Sequence, residues 1–435
     1  METNKIVMQQ LLQRILRFFV AAVLQMYAPA VVGITGSVGK TSTKAAIAAV
    51  LAARFRVRQN EKNYNNELGL PLTILGMESP GRSIIGWILV FLRAWRLLLF
   101  RSAGYPEVLV LEYGADHPGD IRYLTEFVPC DVAVLTAVSP AHTEFFGDVD
   151  AVFREKRILL DRIKPGGTIV LNADDERVAT VTSEKKAKVV LFGFSEGATV
   201  RAVDTSLSSG QGAHELPSGM RVRVEASGTV LPVFIPGVIG RHQLMAPLAA
   251  IAVASCFGIN AVDAATALAS FHAPAGRMSL VRGVKQTVII DDTYNSSPAA
   301  LTAALTALTE FPSVQRRLAC LGTMAELGAL SESAHREAGE RVAALGVNLL
   351  ITVGEEGKRI GDAARVAGMR ADDIRSFDAA SDAGQYLQEL LQPGDVVLVK
   401  GSQSVRMEKI VREVMAEPER ASELLVRQGP EWQGH

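Results

Sequence analysis

Cysteine is scarce in this chain: Cys130, Cys256 and Cys320 are the only three in 435 residues. They are odd in number and far apart, which excludes a disulfide framework or a zinc ribbon and suits a reducing cytosol. Net charge is almost absent, with 45 basic against 46 acidic residues, so no overall basic field marks a nucleic-acid protein. Internal repeats and low-complexity tracts are also missing. Acidic residues are missing locally. Between Thr3 and Asn60 there is none, only Lys5, Arg14, Arg17, Lys40, Lys44, Arg54, Arg56 and Arg58. From Ser79 to Pro106 acids are again absent, while Arg82, Arg93, Arg96 and Arg101 are present. What the chain has in quantity is aliphatic residues. Its mean hydropathy is positive, and its length suits about two or three domains around a large core.

The richest stretch is Gly33-Ile34-Thr35-Gly36-Ser37-Val38-Gly39-Lys40-Thr41-Ser42-Thr43. An apolar run, Ala28 to Val32, precedes it as a strand, and Lys44 to Leu51 follows as a helix. Strand, Gly-rich turn, Lys-Thr and helix form a phosphate-cradling P-loop. Gly36 and Gly39 admit backbone N–H groups to a polyphosphate, with Ser37 and Ser42 in the same loop. Lys40 supplies a point charge, and Thr41 offers a hydroxyl to Mg²⁺. The common pattern has glycine five residues before Gly39, where Ile34 stands.

Two apolar helices are expected outside that core. Residues 5–26 read as a basic amphipathic helix. A signal peptide is the rival, because Ala28-Pro29-Ala30 resembles a cleavage site. Cleavage there would leave the P-loop strand at the terminus of an exported protein, where ATP is scarce. Residues 83–100 are close to the length of a membrane span but contain Arg93 and Arg96. One reading packs the two helices on each other or on the core; the other makes them a basic, aromatic-bearing membrane-surface contact.

From residue 28 to about 193 apolar runs alternate with helical patterns: strands at 107–112, 131–137, 168–172 and 188–192, helices at 121–127 and 151–163. This βαβ rhythm predicts an α/β fold with a parallel sheet. Residues 195–235 predict a small antiparallel β insertion, and 242–257 and 261–271 two helices. Ala273-Pro274-Ala275-Gly276 punctuates a boundary. A second, Rossmann-like series follows, with strands at 287–291, 318–321, 348–353 and 396–399. The expected domains are therefore an N-terminal helix (1–27), a central P-loop domain (28–275), a Rossmann-like C-terminal domain (276–420) and a polar, frayed tail (421–435).

Glu112 ends the strand Val108–Glu112, where a carboxylate at the carboxyl edge of the P-loop sheet is well placed to hold Mg²⁺. His142 follows the next strand, and Lys156 lies on an amphipathic helix; on spacing alone a surface histidine and a solvated lysine are the ordinary readings. Arg277 stands just past the boundary, where it could reach a γ-phosphate from another domain. Asp291-Asp292-Thr293-Tyr294-Asn295 ends a strand, where an Asp could hold a ribose or metal.

These motifs together resemble the Mur ligase family. The resemblance rests on Thr35 to Thr41, Asn63-Tyr64-Asn65-Asn66-Glu67-Leu68-Gly69, Glu112-Tyr113-Gly114-Ala115, Ser139 to His142, Glu155-Lys156 and Asn172-Ala173-Asp174-Asp175. It continues through Gly276-Arg277-Met278, Asp291 to Pro298, Met324 to Gly328 with His335, and Lys400-Gly401-Ser402. The last four most resemble the branch that joins D-alanyl-D-alanine to UDP-N-acetylmuramoyl-tripeptide in peptidoglycan precursor synthesis. The resemblance implies ATP and two Mg²⁺ ions as cofactors. Lys40, Thr41 and Asn65 would serve the nucleotide and first metal, and Glu112, His142 and a carbamylated Lys156 the metals. Arg277 would touch the γ-phosphate, Asp292 the ribose, and Tyr294 would line the nucleotide site. It further implies a cytoplasmic monomer that uses no nucleic acid, with a peripheral contact at the inner membrane face as the added reading for the apolar helices.

The match departs in places. Only about 27 residues precede the first strand, too few for the UDP-binding domain the family leads one to expect. His242-Gln243 and Ala246 stand where the family has a His-Asn pattern near adenine, Thr323 replaces an Asp, and Gln403 replaces an Arg. Two rivals therefore accompany the leading reading: a Mur-like ligase with another acceptor or amine, and a non-catalytic nucleotide-binding, membrane-docking protein. Retention of Lys40, Thr41, Glu112, His142, Lys156 and Arg277 separates the enzyme from the second rival.

Overall fold

The computed structural model describes residues 2–61, 64–140, 143–182, 187–208, 216–312, 314–429 and 432. The first sheet holds β1 (Ala30–Thr35), β2 (Val57–Gln59), β3 (Val108–Glu112), β4 (Val132–Leu135), β5 (Thr168–Asn172), β6 (Lys188–Gly193), β7 (Val200–Ser208), β8 (Gly219–Ala226) and β9 (Thr229–Pro236). Their order is β2-β3-β1-β4-β5-β6-β7-β8-β9. Pairing is parallel from β2 to β7 and antiparallel from β7 to β9. The chemistry of the strands explains the change. β1, β3, β4 and β5 are near-continuous aliphatic runs buried on both faces, as a helix-covered parallel sheet requires. In β8, Met220, Val222 and Val224 point inward and Arg221 and Arg223 outward, so one face meets water. The antiparallel strands thus extend the edge of the central sheet.

The second sheet holds β10 (Ser279–Gly283), β11 (Thr287–Asp292), β12 (Arg317–Gly322), β13 (Leu349–Val353), β14 (Ile374–Phe377) and β15 (Val396–Lys400), ordered β10-β11-β15-β12-β13-β14. All neighbours are parallel except β10 with β11. A P-loop sheet followed by a Rossmann-like sheet is the α/β class the sequence predicts. The unforeseen strands β2, β10 and β14 are the edge strands of their sheets and mix polar with apolar residues, so they carry no hydrophobic run.

In the first sheet β1 pairs with β3 on one side and β4 on the other, with Ile34 opposite Glu112 and Thr35 opposite Leu135. The carboxyl ends of three strands therefore meet where the strand order reverses, the usual ligand position of an open α/β sheet.

Four helices accompany the first sheet: α1 (Glu2–Tyr27), α2 (Lys40–Ala52), α3 (Gly69–Leu75) and α4 (Ile84–Leu99). α1 buries Leu16, Phe19, Val20 and Val23, and α4 buries Val90, Ala94 and Leu97, each at three-to-four-residue spacing. The Phe19 ring lies 6.0 Å from Phe91 and 5.4 Å from Trp95, and both helices share a core with Leu109 and Leu111 of β3. The helices do pack on each other. Removing α1 as a leader would uncover that core. Among the described residues no helix is long and apolar enough to cross a membrane.

The polar tail is not frayed where it is described. Ala421–Leu424 is helical, Ala421 and Leu425 are buried, and the Arg427 side chain is only 5% exposed. The reason is a buried ion cluster: Glu408 accepts from Arg406 Nε (2.5 Å) and from Arg427 Nη2 (2.8 Å).

Candidate active site

The P-loop turns on two glycines. Gly36 has φ 149° and Gly39, which starts α2, has φ 81°. A Cβ on Gly36 would lie 1.9 Å from Thr136 Oγ1. The loop is pinned to the segment after β4: Ser37 N donates to Ala137 O (2.7 Å), Ser37 Oγ to Ser139 O (3.0 Å) and Thr136 Oγ1 to Val38 O (2.6 Å). Lys40 Nζ folds back over the loop, donating to Gly36 O (2.8 Å) and Ser37 O (3.4 Å). Ser42 is buried behind it. Gly36→Ala is expected to weaken binding of a non-hydrolysable ATP analogue at least about tenfold, because strain of this kind costs on the order of 1–3 kcal/mol. Calorimetric titration measures it; unchanged affinity would contradict the loop geometry.

Glu112 is the hub. Its Oε2 accepts from Thr41 Oγ1 (3.0 Å) and its Oε1 from Asn65 Nδ2 (3.2 Å), while Lys44 Nζ stands 3.7 Å from Oε2. Burial alone would raise its pKa, but Lys40, Lys44, Arg277 and the Thr41 hydroxyl outweigh it and hold the carboxyl below the usual range. The group is therefore an anion facing a ring of cations. Lys40 is pulled below the ordinary lysine value by burial, with Glu112 opposing and Arg277 assisting.

Lys156 sits on the helix Val149–Asp161 and is 2% exposed. Its neighbour Glu155 is engaged elsewhere, accepting from Gly119 N and Ile121 N at 2.9 Å, which caps the helix Asp120–Phe127 and orients its own helix against it. Among the described residues no hydrogen bond reaches Lys156 Nζ. Burial, and then the Lys40 ammonium, bring its pKa down to about 7, so a large share of it is neutral amine near neutral pH. His142 lies outside the described residues.

Arg277 reaches this cluster from the start of the second half. Its Nη2 donates to Thr41 Oγ1 (3.0 Å) and its guanidinium lies 4.1 Å from the centre of the Tyr294 ring. Asp292 is mostly buried: Oδ2 accepts from Lys400 Nζ (2.6 Å) and Oδ1 from Met278 N (3.2 Å). His242 lies near this pair, and burial brings its pKa down to about 4, with Asp292 opposing and Lys400 assisting. Gln243 Nε2 is 3.3 Å from His242 Nε2. His335 supports a neighbouring loop. Its Nε2 accepts from Met324 N (2.9 Å), so Nδ1–H donates to Ser331 O (2.6 Å), and burial keeps the ring neutral. Ser402 Oγ accepts from Ala325 N (2.8 Å). The fold thus brings Lys40, Thr41, Asn65, Glu112 and Arg277 together, with Lys156 close to Lys40, and leaves Asp292 at the Lys400 side.

Sequence reasoning missed three groups. Lys44, one turn beyond Lys40 on α2, is buried and donates to Asn60 O (2.5 Å). Asn60 Oδ1 accepts from Glu112 N (2.9 Å) and so fixes the strand end that carries the hub. The four-residue spacing from Lys40 was the available signal for Lys44. Arg427 carries no motif signal, yet it donates to Thr293 O (2.5 Å) and Tyr294 O (3.1 Å), bracing the loop under Arg277. Arg427→Ala is expected to raise KM for ATP several-fold, with a smaller change in kcat and partial recovery in Arg427→Lys. Equal kinetics for all three proteins would show that the brace does not matter.

The family model described as Mur ligase middle domain matches residues 34–85 and 94–254, and the one described as Mur ligase, glutamate ligase domain matches 276–403. The UDP-N-acetylmuramoyl-tripeptide--D-alanyl-D-alanine ligase of Synechocystis sp. is 30% identical over 394 residues, covering 90% of this chain and 76% of that one. This chain belongs to the Mur ligase family. The enzyme of the same name from Bacillus subtilis is 28% identical over 397 residues, covering 91% of this chain and 78% of its own. Among solved structures, MurF ligase from Thermotoga maritima in complex with ADP superposes with TM-score 0.76 at 28% identity, covering 94% of this chain and 84% of that one. The cluster around Glu112 lies at the P-loop, at the carboxyl edge of the sheet, and within reach of an arginine from the other half of the chain.

Proposed function

We propose that this chain is an ATP-dependent carboxylate–amine ligase that joins D-alanyl-D-alanine to UDP-N-acetylmuramoyl-tripeptide through an acyl phosphate. The observation that carries the reading is the hydrogen bond from Arg277 to Thr41, which joins the second half of the chain to the P-loop that carries Lys40 and Thr41, beside Glu112 of β3. The motif pattern of the second half and the activity for which the relatives are named support the choice of substrates.

The physical steps follow from the residues. A carboxylate resists attack because it has no good leaving group. Its oxygen attacks the γ-phosphorus of ATP, the bond to the bridging oxygen of ADP breaks, and an acyl phosphate results. Lys40 and Arg277 oppose the negative charge gathering on the phosphoryl oxygens. The amine of the dipeptide then adds to the acyl carbon and loses a proton, and the tetrahedral species collapses to an amide and inorganic phosphate. Because Arg277 comes from the second half, chemistry depends on the two halves being closed together, which limits idle hydrolysis of ATP.

The donor set fits Mg²⁺. Glu112 is a buried anion beside the Thr41 hydroxyl, a hard-oxygen pair of the sort that holds Mg²⁺ together with substrate phosphates. Thr41 and Glu112 would hold the first ion, and Glu112, His142 and Lys156 the second; bound there, Mg²⁺ supplies charge neutralisation to the phosphates. Lys156 would take part as a carbamate: its neutral amine adds CO₂ and releases a proton, turning a cation into an anion. The same reading has the chain working in the cytoplasm as a monomer, with a peripheral contact at the inner membrane face through α1 and α4. The decisive assay is ADP release with UDP-N-acetylmuramoyl-tripeptide, with and without D-alanyl-D-alanine. The reading expects turnover only when both are present; turnover indifferent to the dipeptide would sink it.

A further inference from the structure

We infer that the joined outer faces of α1 and α4 form a docking surface for anionic lipid, which specifies the membrane contact proposed for these helices. On α1, Ile15 and Phe18 are exposed one turn apart, Phe18 by 66%. On α4, Ile88, Leu92, Trp95 and Leu99 recur at three- or four-residue spacing and are 52%, 58%, 51% and 67% exposed. Phe19 joins the two rows. It is buried between the helices, with its ring 5.8 Å from Phe18 and 5.4 Å from Trp95, so the two exposed rows form one apolar face. A face of this size on a water-facing surface marks a contact with something apolar.

The charge at its border selects the occupant. Arg14, Arg82, Arg96 and Arg101 are exposed on or beside these helices, and no acid occurs from Thr3 to Asn60 or from Ser79 to Pro106. An apolar face with tryptophan and four exposed arginines at its border is complementary to acyl chains below anionic headgroups, and the Glu126 carboxylate beside α1 is already paired with Arg17 (3.1 Å). A second copy of the chain is poorly matched, because pairing this face with itself would set the exposed Arg14, Arg82, Arg96 and Arg101 of each copy against those of the other. The middle-domain family model does not match residues 86–93, the stretch that contains Ile88 and Leu92. The helices lie along the surface rather than through it, consistent with no described helix being able to span a membrane.

The inference rests on the membrane placement, not on the ligase chemistry, and one experiment separates them. The full chain is sedimented with vesicles of phosphatidylglycerol and phosphatidylcholine, or of phosphatidylcholine alone, at low and high salt. Binding is expected to be at least about tenfold tighter to the anionic vesicles and to weaken with salt. Leu92→Glu with Trp95→Glu, both on exposed positions, is expected to abolish binding while nucleotide affinity and turnover of soluble substrates stay unchanged. Equal binding to both vesicle types, or undiminished binding by the double variant, would overturn the proposal. So would a dimer in solution that the double variant dissolves, since a second copy would then own the face. Loss of turnover with intact vesicle binding would instead count against the ligase reading alone.

Discussion

Lys156→Ala is expected to lower kcat on the order of a hundred- to a thousand-fold, the range seen when one preorganised electrostatic group is removed from an active site, and to regain part of the activity with added short carboxylates. The argument starts from burial. A lysine only 2% exposed, brought to about pH 7 by burial and by Lys40 beside it, is a poor permanent cation and a good nucleophile toward CO₂. Once carbamylated it offers oxygens where its amine offered a charge of the wrong sign, and a small carboxylate can occupy the space left by alanine. Activity should also fall as pH drops below about 7, where the amine is protonated. Unchanged turnover in the alanine variant, or no response to carboxylates, would remove the carbamate. Stability gives an independent check through the unmodified side chain. A lysine pKa lowered from 10.5 to about 7 means the unfolded chain binds the extra proton between those values. The unmodified lysine therefore costs nothing above pH about 10.5, costs progressively more as pH falls toward about 7, and levels off below it. Lys156→Met, which keeps the bulk without the charge, should gain on the carbamate-free wild type across that window. Denaturant melts in CO₂-free buffer would read this, and parallel curves would contradict it.

Lys40→Met is expected to reduce kcat by at least about a thousand-fold, more than it weakens ADP binding, because charge is greatest on the phosphoryl group in transit. Lys40 lies across the P-loop with its ammonium on Gly36 O and Ser37 O, which fixes its position over the loop. Removing it also leaves Glu112 with two cations instead of three, so the carboxyl pKa of the variant should rise. Single-turnover measurements of ADP formation separate the chemical step from binding. Equal loss in binding and chemistry would mean that the lysine is only an anchor.

The parts of the fold legible in the sequence were those written as uniform pattern. β1, β3, β4 and β5 are buried on both faces and read as aliphatic runs, and β8 reads by its arginine alternation. β2, β10 and β14 were hidden because edge strands, open on one side, need no such run. The P-loop and Glu112 were visible because phosphate chemistry demands particular residue types at particular spacings, whereas Arg277 alone was a weak signal that the family resemblance raised. Lys156 was visible only through the family resemblance, since an amphipathic helix with a lysine usually turns it to water, and only tertiary packing buries this one. Arg427 could not be read at all. Its partners are the carbonyls of residues more than a hundred positions away and a glutamate fixed by another arginine, and no local pattern encodes such contacts. The tail that looked polar enough to fray is held by those same charges.

The central claim is that ATP activates a carboxylate for attack by an amine, and the fate of an oxygen atom tests it most directly. UDP-N-acetylmuramoyl-tripeptide labelled with ¹⁸O in its reacting carboxylate is turned over with D-alanyl-D-alanine and unlabelled ATP, and the inorganic phosphate is analysed by mass. An acyl phosphate passes the bridging oxygen from carboxylate to phosphate, so each phosphate released should carry one labelled oxygen. Unlabelled phosphate formed alongside ADP would mean that water takes the phosphoryl group, and would contradict activation of the carboxylate by ATP.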